Sequence, residues 1–239
     1  MKILCVIPAR GGSKRLPDKN LANIGKRSLI KRCSDVLDGI VEITDILVSS
    51  DSKKIIKHAK EIGLMAPWER PAILANDYAK SSDVVIHALD WYEANVMKVD
   101  AVLLLQPTSP FRKKTTIKKA IQIMIDNICE SVISVSETHS HPQWTFKKND
   151  KYLEPFMEGD GINTRSQDLE PAYVVNGNLY LIKTKPLRKN NSFFSNKTIP
   201  CLLDDIIESI DIDTQEDLEL ANYYMDSGIW SKRLKNENE

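Results

Sequence analysis

Apolar positions fall into two kinds along this chain. In some stretches they form short unbroken runs, and in others they recur every three or four residues. The runs at residues 3–7, 46–48, 101–105 and 132–135 predict strands buried on both faces. The spaced positions predict helices. Leu29, Ile30, Cys33, Val36, Leu37 and Ile40 share one helical face over residues 28–40, and Ile55, Ala59 and Ile62 share another that stops at Gly63. Val84, Val85, Ala88, Leu89 and Tyr92 follow a start at Ser81 or Ser82, and Ile117, Ala120, Ile121, Met124 and Ile128 make a fourth face. Strand and helix in alternation build βαβ units. The predicted fold is α/β, a Rossmann-like open and mostly parallel sheet with helices on both faces.

The pattern fails in two places. Across residues 64–80, Pro67, Pro71 and Asn76-Asp77 break any period, which predicts a loop at the carboxyl end of the sheet, where open α/β folds bind ligands. From residue 137 to about 170 the sequence turns polar and aromatic, with His139, His141, Trp144 and Phe146. Such a departure is usually functional or interfacial. The whole chain, 1–239, therefore reads as a single domain with 137–170 as a small irregular or β excursion for dimerisation and substrate closure. Its aromatics need another surface, and a two-fold-related subunit supplies one. Strand character returns at 173–182, and 192–196 forms a second aromatic loop with Phe193 and Phe194. His139 and His141 share a strand face without a third ligand, so a zinc pair is disfavoured. His87, with no carboxylate pattern around it, reads as structural.

Composition narrows the function. Lys plus Arg and Asp plus Glu both number 33, so no global field attracts nucleic acid or an anionic membrane, and anion affinity must come from a local cluster. No apolar run is long enough to span a bilayer, and the chain enters a strand without the zones of a signal peptide, which predicts a cytoplasmic protein. The widely spaced Cys5, Cys33, Cys129 and Cys201 read as reduced core residues.

The local cluster is the loop at residues 7–20. It follows the first strand and carries Gly11-Gly12 among Arg10, Lys14, Arg15 and Lys19. The glycines are expected to take positive φ and bring backbone amides to a phosphate. The spacing matches neither G-x-x-x-x-G-K-[ST] nor G-x-G-x-x-G, so taken by itself the loop is equally a solvated basic turn. At the end of the third strand, Gln106-Pro107-Thr108-Ser109-Pro110 fixes a turn that presents Gln106, Thr108 and Ser109 to the cleft. Near the end of the chain, strict alternation over 209–214 predicts a strand with Asp211 and Asp213 on one side, a pair suited to magnesium. The other reading is that these aspartates only end a strand and help Thr214 cap the last helix, through the box Thr214-Gln215-Glu216-Asp217. That helix buries Leu218, Ala221 and Met225, and the tail beyond Trp230 reads as charged and frayed.

Taken together, residues 7–20, 106–110, 176–180 and 209–214 resemble the signature of the CMP-sialic acid synthetase family, and the likeness spans nearly the whole chain. The resemblance implies a cytidylyltransferase joining CTP to an acidic nine-carbon sugar: sialic, legionaminic or pseudaminic acid. It implies CTP held by Arg10, Gly11, Gly12, Ser13, Lys14, Lys19 and Asn20, with Arg70, Asp77, Ser81 and Ser82 contacting nucleotide and sugar. Gln106, Asn176, Tyr180, Arg165, Phe193 and Phe194 would surround the sugar, and Asp211 and Asp213 would bind Mg2+. Arg10, Lys19 and Asp211 are the expected catalytic groups. The family resemblance also implies a homodimer in which Arg165 can serve the neighbouring site. After His141-Pro142 the chain has Gln143 and Trp144 where sialate-specific relatives place a lysine, so Trp144 is expected at the sugar, favouring a diacetamido acid. The alternatives are a cytidylyltransferase for a 3-deoxy-manno-octulosonate-type sugar and a non-catalytic nucleotide-sugar-binding paralogue.

Overall fold

A computed structural model describes residues 1–159 and 161–235. The strands are β1 (Ile3–Pro8), β2 (Asn23–Ile24), β3 (Arg27–Ser28), β4 (Ile43–Ser49), β5 (Ala101–Leu104), β6 (Ser131–Glu137), β7 (Phe146–Asn149), β8 (Tyr152–Pro155), β9 (Tyr173–Lys183) and β10 (Thr198–Leu202). The α-helices are α1 (Leu29–Asp35), α2 (Lys53–Glu61), α3 (Ser81–Asn95), α4 (Lys114–Asp126), α5 (Thr184–Asn190), α6 (Gln215–Asp226) and α7 (Ile229–Lys235). The tail expected to fray beyond Trp230 instead continues as α7 to Lys235, and residues 236–239 lie outside the described residues.

Six strands form the main sheet in the order β10-β6-β9-β5-β1-β4. Pairs β1–β4, β1–β5 and β6–β10 are parallel, whereas β9 runs antiparallel to both β5 and β6. The reversal has a simple cause. Between β6 and β9 the described residues make the β7–β8 hairpin and short 3-10 turns but no crossover helix, and a parallel neighbour needs a crossover. The periodic reading found neither β10 nor α5 nor the β7–β8 hairpin, because each is short.

Alternation along the central strands sorts the core into two layers. Ile3, Cys5, Ile7, Leu103 and Leu181 pack with α1, α2 and α4, while Leu4, Val6, Val102, Leu104 and Ile182 pack with α3 and α5. Each fully buried Leu or Ile contributes about 1.5–3 kcal/mol. A third cluster joins Leu16, Ile24, Phe111, Ile207, Ile212, Ala221 and Trp230, and it fastens α6 and α7 beneath the basic loop. All four cysteines are buried and unpaired, and burial pushes the thiol of Cys201 up to about 11.

Two sequence expectations are corrected. Residues 210–213 form no strand, because their amides bond to scattered acceptors rather than to one neighbouring strand: Ile210 N to Ile207 O (3.2 Å), Ile212 N to Thr108 O (2.8 Å) and Asp213 N to Asp217 Oδ2 (2.9 Å). Gly11 and Gly12 do not adopt positive φ.

Candidate active site

The basic loop is shaped by its neighbours. Gly11 N donates to Asp51 Oδ1 (2.9 Å), and a Cβ on Gly11 would stand 2.8 Å from the Cβ of Ser52. Gly11 is thus required by close backbone packing against the turn that starts α2, whose N-cap is Ser52. Gly12 has nothing within 4 Å of a built Cβ. Buried Asn20 closes the loop by donating from Nδ2 to Arg10 O (2.8 Å).

The cations gather above the carboxyl ends of β1, β4 and β5, around a cleft of about 460 Å³. Five cationic side chains, Arg10, Lys14, Arg15, Lys19 and Arg70, face two carboxylates, Asp77 and Asp213, in its lining. Asp77 pairs with Arg10 (2.6 Å) and Lys14 (2.7 Å), and Lys14 followed by Arg10 holds its carboxyl below the usual range. Asp213 pairs with Arg15 (2.7 Å) and Lys19 (3.0 Å). Burial pushes the Asp213 carboxyl up, but Lys19 and Arg15 outweigh that and hold it low. Arg70 is buried, forms a long ion pair with Asp51 (3.6 Å), and among the described residues has no hydrogen bond at Nε or Nη2. Burial lowers its pKa against the opposing pull of Asp51, and a buried cation whose donors are not all bonded favours an anion in the cleft.

A second cavity of about 590 Å³ adjoins the first, and Gln106 lines both. It is built on an irregularity in β9. Ser134 of β6 alone opposes residues 176–179, and its hydroxyl donates to Asn176 Oδ1 (2.7 Å) while accepting from Leu179 N (2.9 Å). The extra residues form a bulge that turns Gly177, at φ 74°, toward Gln106. Asn176, Tyr180 and Asp211 line the cavity with His139 and Glu137. Tyr180 rests on Phe193 (ring centroids 5.3 Å apart), and burial, then Asp211, raises the pKa of its hydroxyl.

The structure therefore brings Arg10, Ser13, Lys14, Lys19, Asn20, Arg70, Asp77, Ser81, Gln106 and Asp213 to one cleft, and Gln106, Asn176, Tyr180 and Asp211 to its neighbour. Asp211 and Asp213 do not share a cavity. Buried Ile212 separates them, with Asp213 toward the cations and exposed Asp211 toward Tyr180. Asn176 reaches the second cavity with much of its carboxamide committed: Oδ1 accepts from Ser134 Oγ and Asn178 N, and Nδ2 donates to Ser136 Oγ. Phe193 backs Tyr180 from the core, whereas Phe194 lines a separate surface depression beside Glu130 and Lys197. Ser82 is buried in α3 outside both linings. Trp144 and Arg165 stay within the excursion, where Trp144 Nε1 donates to Gly161 O (3.2 Å) and Arg165 is exposed.

Two further residues organise the site. The buried Arg112 donates from Nε to Asn178 O (2.5 Å) and from Nη2 to Gln106 O, clamping the turn after β5 to the bulge of β9. Fully buried Glu208 accepts from Lys113 N (3.1 Å) and Thr116 Oγ1 (2.8 Å), while its own carbonyl accepts from Asn178 Nδ2 (2.8 Å). Glu208 thereby fixes the segment that delivers Asp211 and Asp213. A lone arginine and a lone glutamate carry no periodic signal, so neither role was legible in the sequence.

The α/β sheet thus carries a cation-lined cleft and an adjoining carboxylate-bearing cavity at its strand ends, the place where open α/β folds bind ligands. The chain belongs to the cytidylyltransferase family, whose model matches residues 4–227. It is 38% identical to CMP-N,N'-diacetyllegionaminic acid synthase of Legionella pneumophila, over 95% of this chain and 97% of that protein. It is 33% identical to N-acylneuraminate cytidylyltransferase of Streptococcus agalactiae over 98% of its own length, and spans about half (56%) of that longer relative. Among solved structures, CMP:2-keto-3-deoxy-manno-octonic acid synthetase complexed with CTP superposes with a TM-score of 0.70 at 17% identity, covering 95% of this chain and 99% of that one, a likeness of fold.

Proposed function

We propose that this protein is a cytidylyltransferase that joins CTP to an acidic nine-carbon sugar, giving the CMP-sugar and pyrophosphate. The observation that carries the reading is the adjoining pair of cavities, one cationic and one bearing carboxylates and an aromatic, which meet at Gln106. The named relatives support the substrate class, and the 38% identity to a diacetyllegionaminate enzyme favours that sugar over a 3-deoxy-manno-octulosonate type, whose support is fold likeness at 17% identity.

In this reading the triphosphate lies among Arg10, Lys14, Lys19 and Arg70, where it competes with Asp77 for Arg10 and Lys14. A sugar hydroxyl oxygen in the second cavity attacks the α-phosphorus, the bond to the β-phosphate breaks, and pyrophosphate leaves with the electron pair while the hydroxyl proton passes to solvent. Lys19 and Arg10 offset charge on the departing group. Asp211 is exposed and makes no hydrogen bond or ion pair among the described residues, whereas Asp213 lines the other cavity and is paired with Lys19 and Arg15, so the two fit a magnesium ion only if Asp213 releases those cations. Asp211 and Asp213 would hold the ion, which when bound would polarise phosphoryl oxygens.

The protein also functions as a homodimer in this reading. Leu153, Phe156, Met157 and Ile162 all leave the excursion exposed, which supports a partner surface there and a role for Trp144 and Arg165 in closing the partner's sugar site. Among the described residues no helix is long and apolar enough to cross a membrane, and the four free buried cysteines suit a reducing cytoplasm. Pyrophosphate release with CTP and a panel of nonulosonic acids tests the function. Turnover is expected with at least one of them and with CTP far above ATP or GTP. No release with any acid, or equal rates with a purine triphosphate, overturns it.

A further inference from the structure

Gln106 stands where the two cavities meet, and its carboxamide is unspent. Its backbone carbonyl accepts from Arg112, yet among the described residues no protein group hydrogen-bonds its side chain. One acceptor and two donors are left for ligands. What lets that side chain lie at the junction is Gly177. A Cβ built on Gly177 falls 2.6 Å from Gln106 Oε1, a distance that carbon and oxygen do not share, and 3.5 Å from Ser109 Oγ. The one guanidinium of Arg112 ties both main-chain segments, donating to Gln106 O on one side and Asn178 O on the other, so the flexible end of the Gln106 side chain is what gives way. Any side chain at 177 must therefore displace the Gln106 carboxamide.

We propose that Gly177 is a positioning residue for the sugar half of the reaction: it holds the Gln106 carboxamide across the junction of the cavities, where it orients the acidic sugar toward the nucleotide. The inference rests on the cytidylyl transfer proposed above. Gly177→Ala is expected to raise the KM for the sugar about tenfold, the scale of one lost hydrogen bond, while the KM for CTP stays within about twofold. The left-handed backbone at 177 also predicts a fall in Tm, and that fall should appear whether or not Gln106 is present. The double variant Gly177→Ala with Gln106→Ala separates the two effects, since without the Gln106 amide the clash is gone and the sugar KM should be no worse than in Gln106→Ala alone. Additive losses in the double variant, or equal rises in both KM values, overturn the proposal. Should Gly177→Ala fail to fold in either background, Gln106→Asn in the native chain draws the amide back by one methylene and should give the same split in KM; an unchanged sugar KM then overturns it. Wild type inactive with every acidic sugar defeats the parent reading, whereas an active wild type matched by Gly177→Ala defeats this inference alone.

Discussion

Asp211 and Asp213, two residues apart, have opposite surroundings. Asp213 is held by Lys19 and Arg15, while Asp211 is exposed beside Tyr180. Neither is core, so Asp211→Ala and Asp213→Ala are expected to fold with turnover lowered by orders of magnitude, and EDTA should do the same to the wild type. Pyrophosphate release with and without added magnesium checks this. The pairing of Asp213 also sets a pH dependence. Its carboxyl is depressed in the folded chain, so its stabilisation is present above the unfolded value of about 3.9 and is lost as pH falls through the folded value. The Tm gap between wild type and Asp213→Asn should close as the solution is acidified from neutral to below about pH 4, and a gap that widens in acid would contradict the assignment. The two loop glycines should likewise part company. Gly11→Ala drives a Cβ against Ser52 and should raise the KM for CTP about tenfold through a loop shift, whereas Gly12→Ala, with open space around it, should leave both KM and Tm almost unchanged.

At the scale of elements, the site is a set of loop ends tied together by buried polar groups. The turn after β5 is fastened to β9 by Arg112 and to the aspartate segment by Thr108 O, and Glu208 fastens that segment to α4 through Thr116. Arg112→Met removes charge-assisted bonds to two carbonyls and leaves them unpaired in the interior. It should lower the unfolding free energy by about 3 kcal/mol or more, read from urea denaturation, and weaken both substrates together. That joint effect separates Arg112 from Gly177, whose replacement is expected to act on the sugar side. The opening of α6 needs no such help, because Thr214 and Asp217 cap it reciprocally, as their spacing predicted.

For the whole molecule, the proposed homodimer rests on the excursion. Leu153 is 68% and Phe156 61% exposed on or beside a two-stranded hairpin, a form only marginally stable by itself. Replacing both with aspartate should convert a dimer to a monomer in light scattering without unfolding the six-stranded sheet. If Arg165 acts across the interface, the same variant should lose affinity for the sugar and keep it for CTP. A wild type that is monomeric at all concentrations would leave the hairpin without the partner proposed for it.

The sequence by itself determined the α/β class, the two-layer core and the position of the cationic loop, because these depend on local periodicity and on charge density within a few residues. It also placed the capping box at Thr214 and the strand ends at which the cleft opens. Tertiary structure alone decided that β9 runs antiparallel between β5 and β6, since that follows from a missing crossover rather than from any pattern within the strand. It alone decided that Asp211 and Asp213 face different cavities, because Ile212 is anchored by Thr108 across a gap of about a hundred residues. The roles of Gly11, Gly177, Arg112 and Glu208 were hidden for the same physical reason: each is defined by what a distant segment brings within a few ångströms, and such contacts leave no period in the chain.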